Sequence, residues 1–192
     1  PEGHALRVAD FDGDGDDDLL GFGPSGLVIF FQDGSGAFSS TTVTTQPVLT
    51  VAFGDLDDSD PDADDYHPAL ELLVIKKMPD GGSSDSGGHA SLYTYWPDTK
   101  TFRWMTNKGY SQENMVDGLF VDYDHDGDLD VVLLSELLSI SFRRNDGTTD
   151  PRFRELTKVD SSIFRSLRPA DSLHAEDLDG DQDVDFIVGG RD

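Results

Sequence analysis

Three stretches of the chain place a carboxylate at every second position: Asp10, Asp12, Asp14, Asp16 and Asp18, then Asp122, Asp124, Asp126, Asp128 and Asp130, then Asp177, Asp179, Asp181, Asp183 and Asp185. All fit DxDxDxxxD, and the first two fit the stricter DxDxDGxxD with Gly15 and Gly127 in the sixth place. Carboxylates this close repel one another unless a cation answers them. A hard cation such as calcium takes six to eight oxygens at roughly 2.3 to 2.6 Å, and side chains at positions 1, 3 and 5 of a tight loop converge on one point. Position 7 would then add a backbone carbonyl, position 9 a last carboxylate and water the remainder. Glycine at position 6 lets the chain turn without a Cβ clash. Gln182 stands there in the last loop and departs from the pattern.

A fourth acidic segment is a stretched copy. Asp55 and Asp57 open it, and Glu71 precedes an apolar run as Asp18, Asp130 and Asp185 do, which puts Glu71 at position 9. The span from Asp55 to Glu71 is eight residues longer than in the regular loops and holds Asp60, Asp62, Asp64 and Asp65. Its middle ligands stay unassigned, and whether it holds an ion in the same geometry is open. Together the four segments contain 25 of the 39 acidic residues and no Lys or Arg, so the net charge of −25 belongs to them and the rest of the chain is neutral. A salt-adapted surface would spread its carboxylates instead. An EF-hand is excluded, because position 12 is Gly21, Leu133 or Val188 rather than Glu. Cysteine-bearing acidic repeats are excluded by the absence of Cys, and the glycine-rich nonapeptide of β-helices does not occur.

The elements that hold these loops read as β-strands. Leu19 and Leu20, Val131 to Leu134 and Phe186 to Val188 are short apolar runs starting after the last ligand, as buried strands do. A second run and a turn follow in each of the first three units: Gly26 to Phe31 and then Gln32 to Phe38, Ser91 to Trp96 with Pro97-Asp98, and Ile140 to Arg144 with Asn145 to Gly147. Each unit is therefore strand, acidic loop, strand, strand, turn, strand, which is a four-stranded antiparallel blade. The acidic loops recur at spacings of 45, 67 and 55 residues, and four strands per roughly 45 residues is the signature of a β-propeller. The expected fold is all-β: one partial propeller over 1–192 with units of about 1–46, 47–111, 112–167 and an incomplete 168–192. The long second unit also contains a glycine- and serine-rich hairpin tip, Pro79 to Gly88.

The acidic loop, the apolar strand after it and the Gly34 to Phe38 turn resemble FG-GAP or VCBS repeats, the units of integrin α-subunit propellers and fungal propeller lectins. The resemblance implies calcium ligation by Asp10, Asp12, Asp14, Asp16 and Asp18, by the matching residues of the third and fourth loops, and by Asp55, Asp57 and Glu71, for three to four ions. It implies a ring of about seven blades, of which this chain would supply about three and a half, so that further blades or another chain complete it. It also implies a non-catalytic role in adhesion or in recognition of a protein or glycan, in a secreted or cell-surface setting. Propeller-bearing lyases and hydrolases form one alternative, and a structural subunit of a filament or multi-chain assembly another.

Other features read more simply. His125 and His174 lack a paired metal-binding spacing and are expected in loops or at the surface. Tyr93, Tyr95, Trp96, Phe102 and Trp104 are expected to pack between blades rather than stack on a sugar. Ser25 among its glycines matches neither a nucleophile elbow nor a phosphate loop. Basic residues are scattered, so nucleic acid is not an expected partner. No apolar run approaches the about eighteen residues of a membrane span, and the start at Pro1 reads as a processed or excised chain.

Overall fold

A computed structural model describes residues 4–56, 69–77, 88–105, 114–136, 139–145, 154–159 and 169–190. They form β-strands throughout, with no helix among the described residues and every pairing antiparallel. The first sheet is a meander of β1 (Ala5–Ala9), β2 (Asp18–Gly23), β3 (Gly26–Gln32) and β4 (Phe38–Thr44). The second is β5 (Val48–Gly54), β6 (Glu71–Lys77), β7 (Gly88–Trp96) and β8 (Thr101–Trp104). In the third, β9 (Met115–Val121), β10 (Asp130–Ser135), β11 (Ile140–Arg144) and β12 (Arg154–Val159) follow the same order. The last pair is β13 (Ala170–Glu176) with β14 (Asp185–Gly190). A single pairing of Gly88 with Met115 joins the second and third meanders into one hydrogen-bonded array. Each acidic loop connects the first strand of a meander to its second.

The second strands explain how the meanders stack. Side chains alternate between the faces of a strand, so a strand covered on both faces reads as an unbroken apolar run. In β6, Leu72 and Val74 join the core shared with the first sheet, whereas Leu73 and Ile75 join the core shared with the third. β10 repeats the rule: Val131 and Leu133 face the second sheet, Val132 and Leu134 the last pair. All eight side chains are buried. In β2 only Leu20 and Phe22 reach a core. Leu6, Val8 and Phe30 are exposed, and the register places them on the opposite face of the first sheet, beside Leu19, Gly21 and Val28.

Close stacking sets side-chain size at the contacts. A Cβ on Gly118 would lie 2.8 Å from Leu73 Cδ2 and 2.9 Å from Leu133 Cδ2, so glycine is what lets β9 approach its neighbours. The aromatics divide. Tyr93, Tyr95 and Phe102 are buried as expected, with Phe31 stacked on Phe102 at 6.5 Å between centroids. Trp96 and Trp104, expected in the core, are instead 44% and 52% exposed. Trp96 lies under the Arg103 guanidinium, 4.2 Å from its ring centroid, which satisfies the ring face without burial.

Two-faced burial predicts an asymmetry between strands. Leu72→Ala and Leu133→Ala should each cost about 2 to 5 kcal/mol through a cavity between sheets, while Leu6→Ala should stay within about 0.5 kcal/mol. Urea denaturation of the three variants measures this, and equal costs would contradict the stacking.

Candidate metal centre

The regular loops share one backbone. Positions 4 and 6 have left-handed φ in all three: Gly13 at 76° and Gly15 at 93°, His125 at 59° and Gly127 at 99°, Gly180 at 81° and Gln182 at 76°. Gln182 thus adopts the conformation that glycine holds in the other loops, and the fourth loop keeps its shape. The cost of that conformation is met by hydrogen bonds to the position-1 carboxylate. Gly13 and Gly15 N–H donate to Asp10 at 2.8 Å each, Gly127 N–H donates to Asp122 at 3.0 Å, and Gly180 and Gln182 N–H donate to Asp177 at 2.7 and 3.0 Å. Position 5 fixes the next turn, since Asp14, Asp126 and Asp181 each accept the N–H of position 7, at 3.0, 3.2 and 3.0 Å.

Position 9 ties each loop to its sheet. Asp18 accepts the N–H of Phe11 at 2.9 Å and that of Gln32 at 2.8 Å. Asp130 accepts those of Tyr123 at 3.4 Å and Asn145 at 2.7 Å, and Asp185 that of Leu178 at 3.1 Å. Glu71 does the same for the stretched loop, accepting Leu56 N–H at 3.0 Å and the Thr94 hydroxyl at 3.0 Å. Position 2 anchors the loop from the other side: Phe11, Leu56 and Tyr123 pack into the core that their sheet shares with the next. Leu178, in the last pair, is 58% exposed.

Within this frame the acids of positions 1, 3 and 9 converge. Asp10, Asp12 and Asp18 bring one oxygen each within 4.8 Å of one another, as do Asp122, Asp124 and Asp130, and Asp177, Asp179 and Asp185. Asp14, Asp16, Asp126, Asp128, Asp181 and Asp183, at positions 5 and 7, stand outside these triads. Asp55 borders the stretched loop, while Asp57 lies outside the described residues, as do 58–68. His125 Nε2 is 3.7 Å from Asp183, and the exposed His174 is 3.3 Å from Glu176.

Electrostatics mark the first triad most clearly as short of positive charge. Burial, followed by the charges of Asp18, Asp14 and Asp10, pushes Asp12 up to about 6. Burial also raises Asp18, and it raises Asp130 to about 6 against the hydrogen bond from Asn145. Asp12 Oδ1 is buried with no hydrogen-bond partner, and the Tyr95 hydroxyl of the second sheet lies 3.5 Å from Asp12 Oδ2. An all-oxygen donor set with an unanswered buried oxygen suits a hard divalent cation.

Several participants escaped the sequence reading. Position 2 carried a signal, since Phe11, Leu56 and Tyr123 are large and flanked by acids. Tyr95 and Asn145 did not, because they reach the preceding sheet. Asn145 Nδ2 donates to Leu56 O at 2.8 Å and to Leu129 O at 3.2 Å, bracketing the second and third acidic loops.

Residues 122–188 match the FG-GAP-like repeat. The chain therefore carries that repeat from the third acidic loop through the fourth and into β14, and its described residues form antiparallel sheets throughout. A comparison with curated proteins found no match.

The raised carboxyls give a pH dependence. A group whose folded pKa lies above its unfolded value stabilises the fold fully below the unfolded value, near 3.8, and loses that contribution as pH rises through about 6. Asp126, where desolvation is outweighed by the Asp128 N–H and Arg144 together, is lowered and acts below this window. In chelator the protein should therefore melt higher at pH 5 than at pH 7. A melting temperature that climbs between those values would contradict the assignment.

Proposed function

We propose that this chain is a calcium-stabilised, non-catalytic β-propeller segment. Its meanders are successive blades, about three and a half of them, in a ring completed by further blades or another chain. The observation that carries the reading is the threefold convergence of carboxylates at positions 1, 3 and 9. Asp10, Asp12 and Asp18, and their counterparts in the third and fourth loops, would hold one ion each. Glu71 would hold a fourth together with Asp55 and Asp57. Bound calcium would supply the positive charge that the buried carboxylates lack. Asp18 and Asp130, both with raised pKa, accept backbone N–H groups and crowd against other carboxylates of their own loops, which suits a cation site better than an acid and base facing a substrate.

The apolar outer face of the first sheet supports a continuing stack, because Leu19 and Gly21 occupy the places that Leu72 and Val74 use to cover a preceding sheet. Extracellular calcium modules work at dissociation constants of roughly 0.1 to 1 mM. Structural ions of that kind fit a secreted or cell-surface module in which a rigid ring presents loops to a protein or glycan ligand.

The role of calcium is tested by melting the protein at neutral pH in millimolar calcium and in excess chelator. An ion at about ten times its dissociation constant stabilises the folded state by roughly 1.4 kcal/mol, and about 1 kcal/mol moves the melting temperature by roughly 2 to 4 °C at this size. Three occupied loops should raise it by about 10 °C or more. A shift of a degree or two would overturn the folding role.

A further inference from the structure

The third loop carries a cation of its own. The registers pair Leu19 with Phe30, Leu72 with Tyr93 and Val131 with Arg143, so Phe31, Thr94 and Arg144 are equivalent residues, each one step further along its strand. Phe31 is buried in the core and the Thr94 hydroxyl donates to Glu71. Arg144 instead reaches into the acidic loop: its Nε lies 3.1 Å from Asp124 Oδ2 and its Nη2 donates to Asp126 Oδ2 at 2.7 Å. Asp124 and Asp126 are positions 3 and 5, and Asp124 belongs to the converging triad.

We propose that Arg144 is an internal competitor for the third loop's ion, so that calcium binds there only as the guanidinium leaves, and more weakly than at the first loop. This rests on the calcium reading above. Two cations cannot both hold the Asp124 carboxylate closely without repelling each other. A guanidinium stays charged at any pH a protein meets, so the competition is constant. Its side chain is 45% exposed, which leaves it free to swing into solvent when displaced. Whatever the pair contributes to the ion-free protein is subtracted from the affinity of the ion that replaces it. At the first loop the equivalent position holds the apolar, buried Phe31, and among the described residues no Lys or Arg pairs with its acids. The third loop would then keep its shape in the absence of calcium and fill after the first as calcium rises.

Calcium titration of the full chain, followed by NMR through the amides of Gly15 and Gly127, reads the two loops separately, since these N–H groups are bound to Asp10 and Asp122. In the natural protein the Gly15 signal should saturate at lower calcium than that of Gly127. Arg144→Gln should lower the Gly127 midpoint by about three- to tenfold and leave Gly15 unchanged. It should also lower the melting temperature in chelator, and Arg144→Lys should fall between. A Gly127 midpoint that is unmoved or raised in Arg144→Gln overturns the inference while leaving the calcium reading intact, and so does a natural protein in which Gly127 saturates first. Silence at both glycines in the natural protein overturns both.

Discussion

Burying a carboxylate is costly unless donors or a cation surround it, and the chain does so at the start of the second strand of its first three meanders. Asp18, Glu71 and Asp130 are at most 3% exposed. Each accepts the N–H of the residue after its loop's first ligand and a second hydrogen bond from the end of the third strand or just beyond it. One side chain thus closes the acidic loop, fixes where the second strand begins and joins the third strand to both. Position 2 of the loop is drawn under the same lid and becomes part of the core between sheets. Ion site and core are therefore parts of a single packing unit.

That unit extends to the neighbouring sheet. Tyr95 and Asn145 are equivalent in the register, and both reach back to the acidic segment of the preceding meander, one toward Asp12 and the other to Leu56 O. Leu70 N–H also meets Phe11 O at 3.4 Å. Between the third sheet and the last pair, Asp117 accepts Leu173 N–H at 2.8 Å, and burial raises its pKa. Polar contacts thus accompany the apolar ones at every sheet-to-sheet junction.

The sequence made the repeat legible because its code is local. Alternating acids, a glycine at position 6 and an apolar run after position 9 are set by neighbours within one loop and one strand. Even the alignment of Glu71 with Asp18 follows from the run behind it, despite the insertion, and both side chains accept the N–H of the residue after their loop's first acid. The orientation of each face was not legible, because Leu72 and Leu73 are the same residue type and differ only in which sheet they meet. Trp96 and Trp104 show the same limit, since an aromatic next to a strand end says nothing about whether another sheet covers it. Arg144 looked like one more scattered basic residue, because the nearer of the carboxylates it meets lies 18 residues earlier, in the loop between β9 and β10.

The runs from Leu72 to Ile75 and from Val131 to Leu134, buried on both faces, have a further consequence before the chain is folded. Short uncharged segments of this kind pair readily with copies of themselves and seed aggregates. The acid placed directly in front of each acts as a gatekeeper, since stacked copies would bring like charges together. It also polices the register: a slip by one residue would drive the carboxylate onto an apolar face while sending every leucine to the wrong neighbour. The residue that closes the loop in the folded protein thus also guards the nascent chain against mispairing.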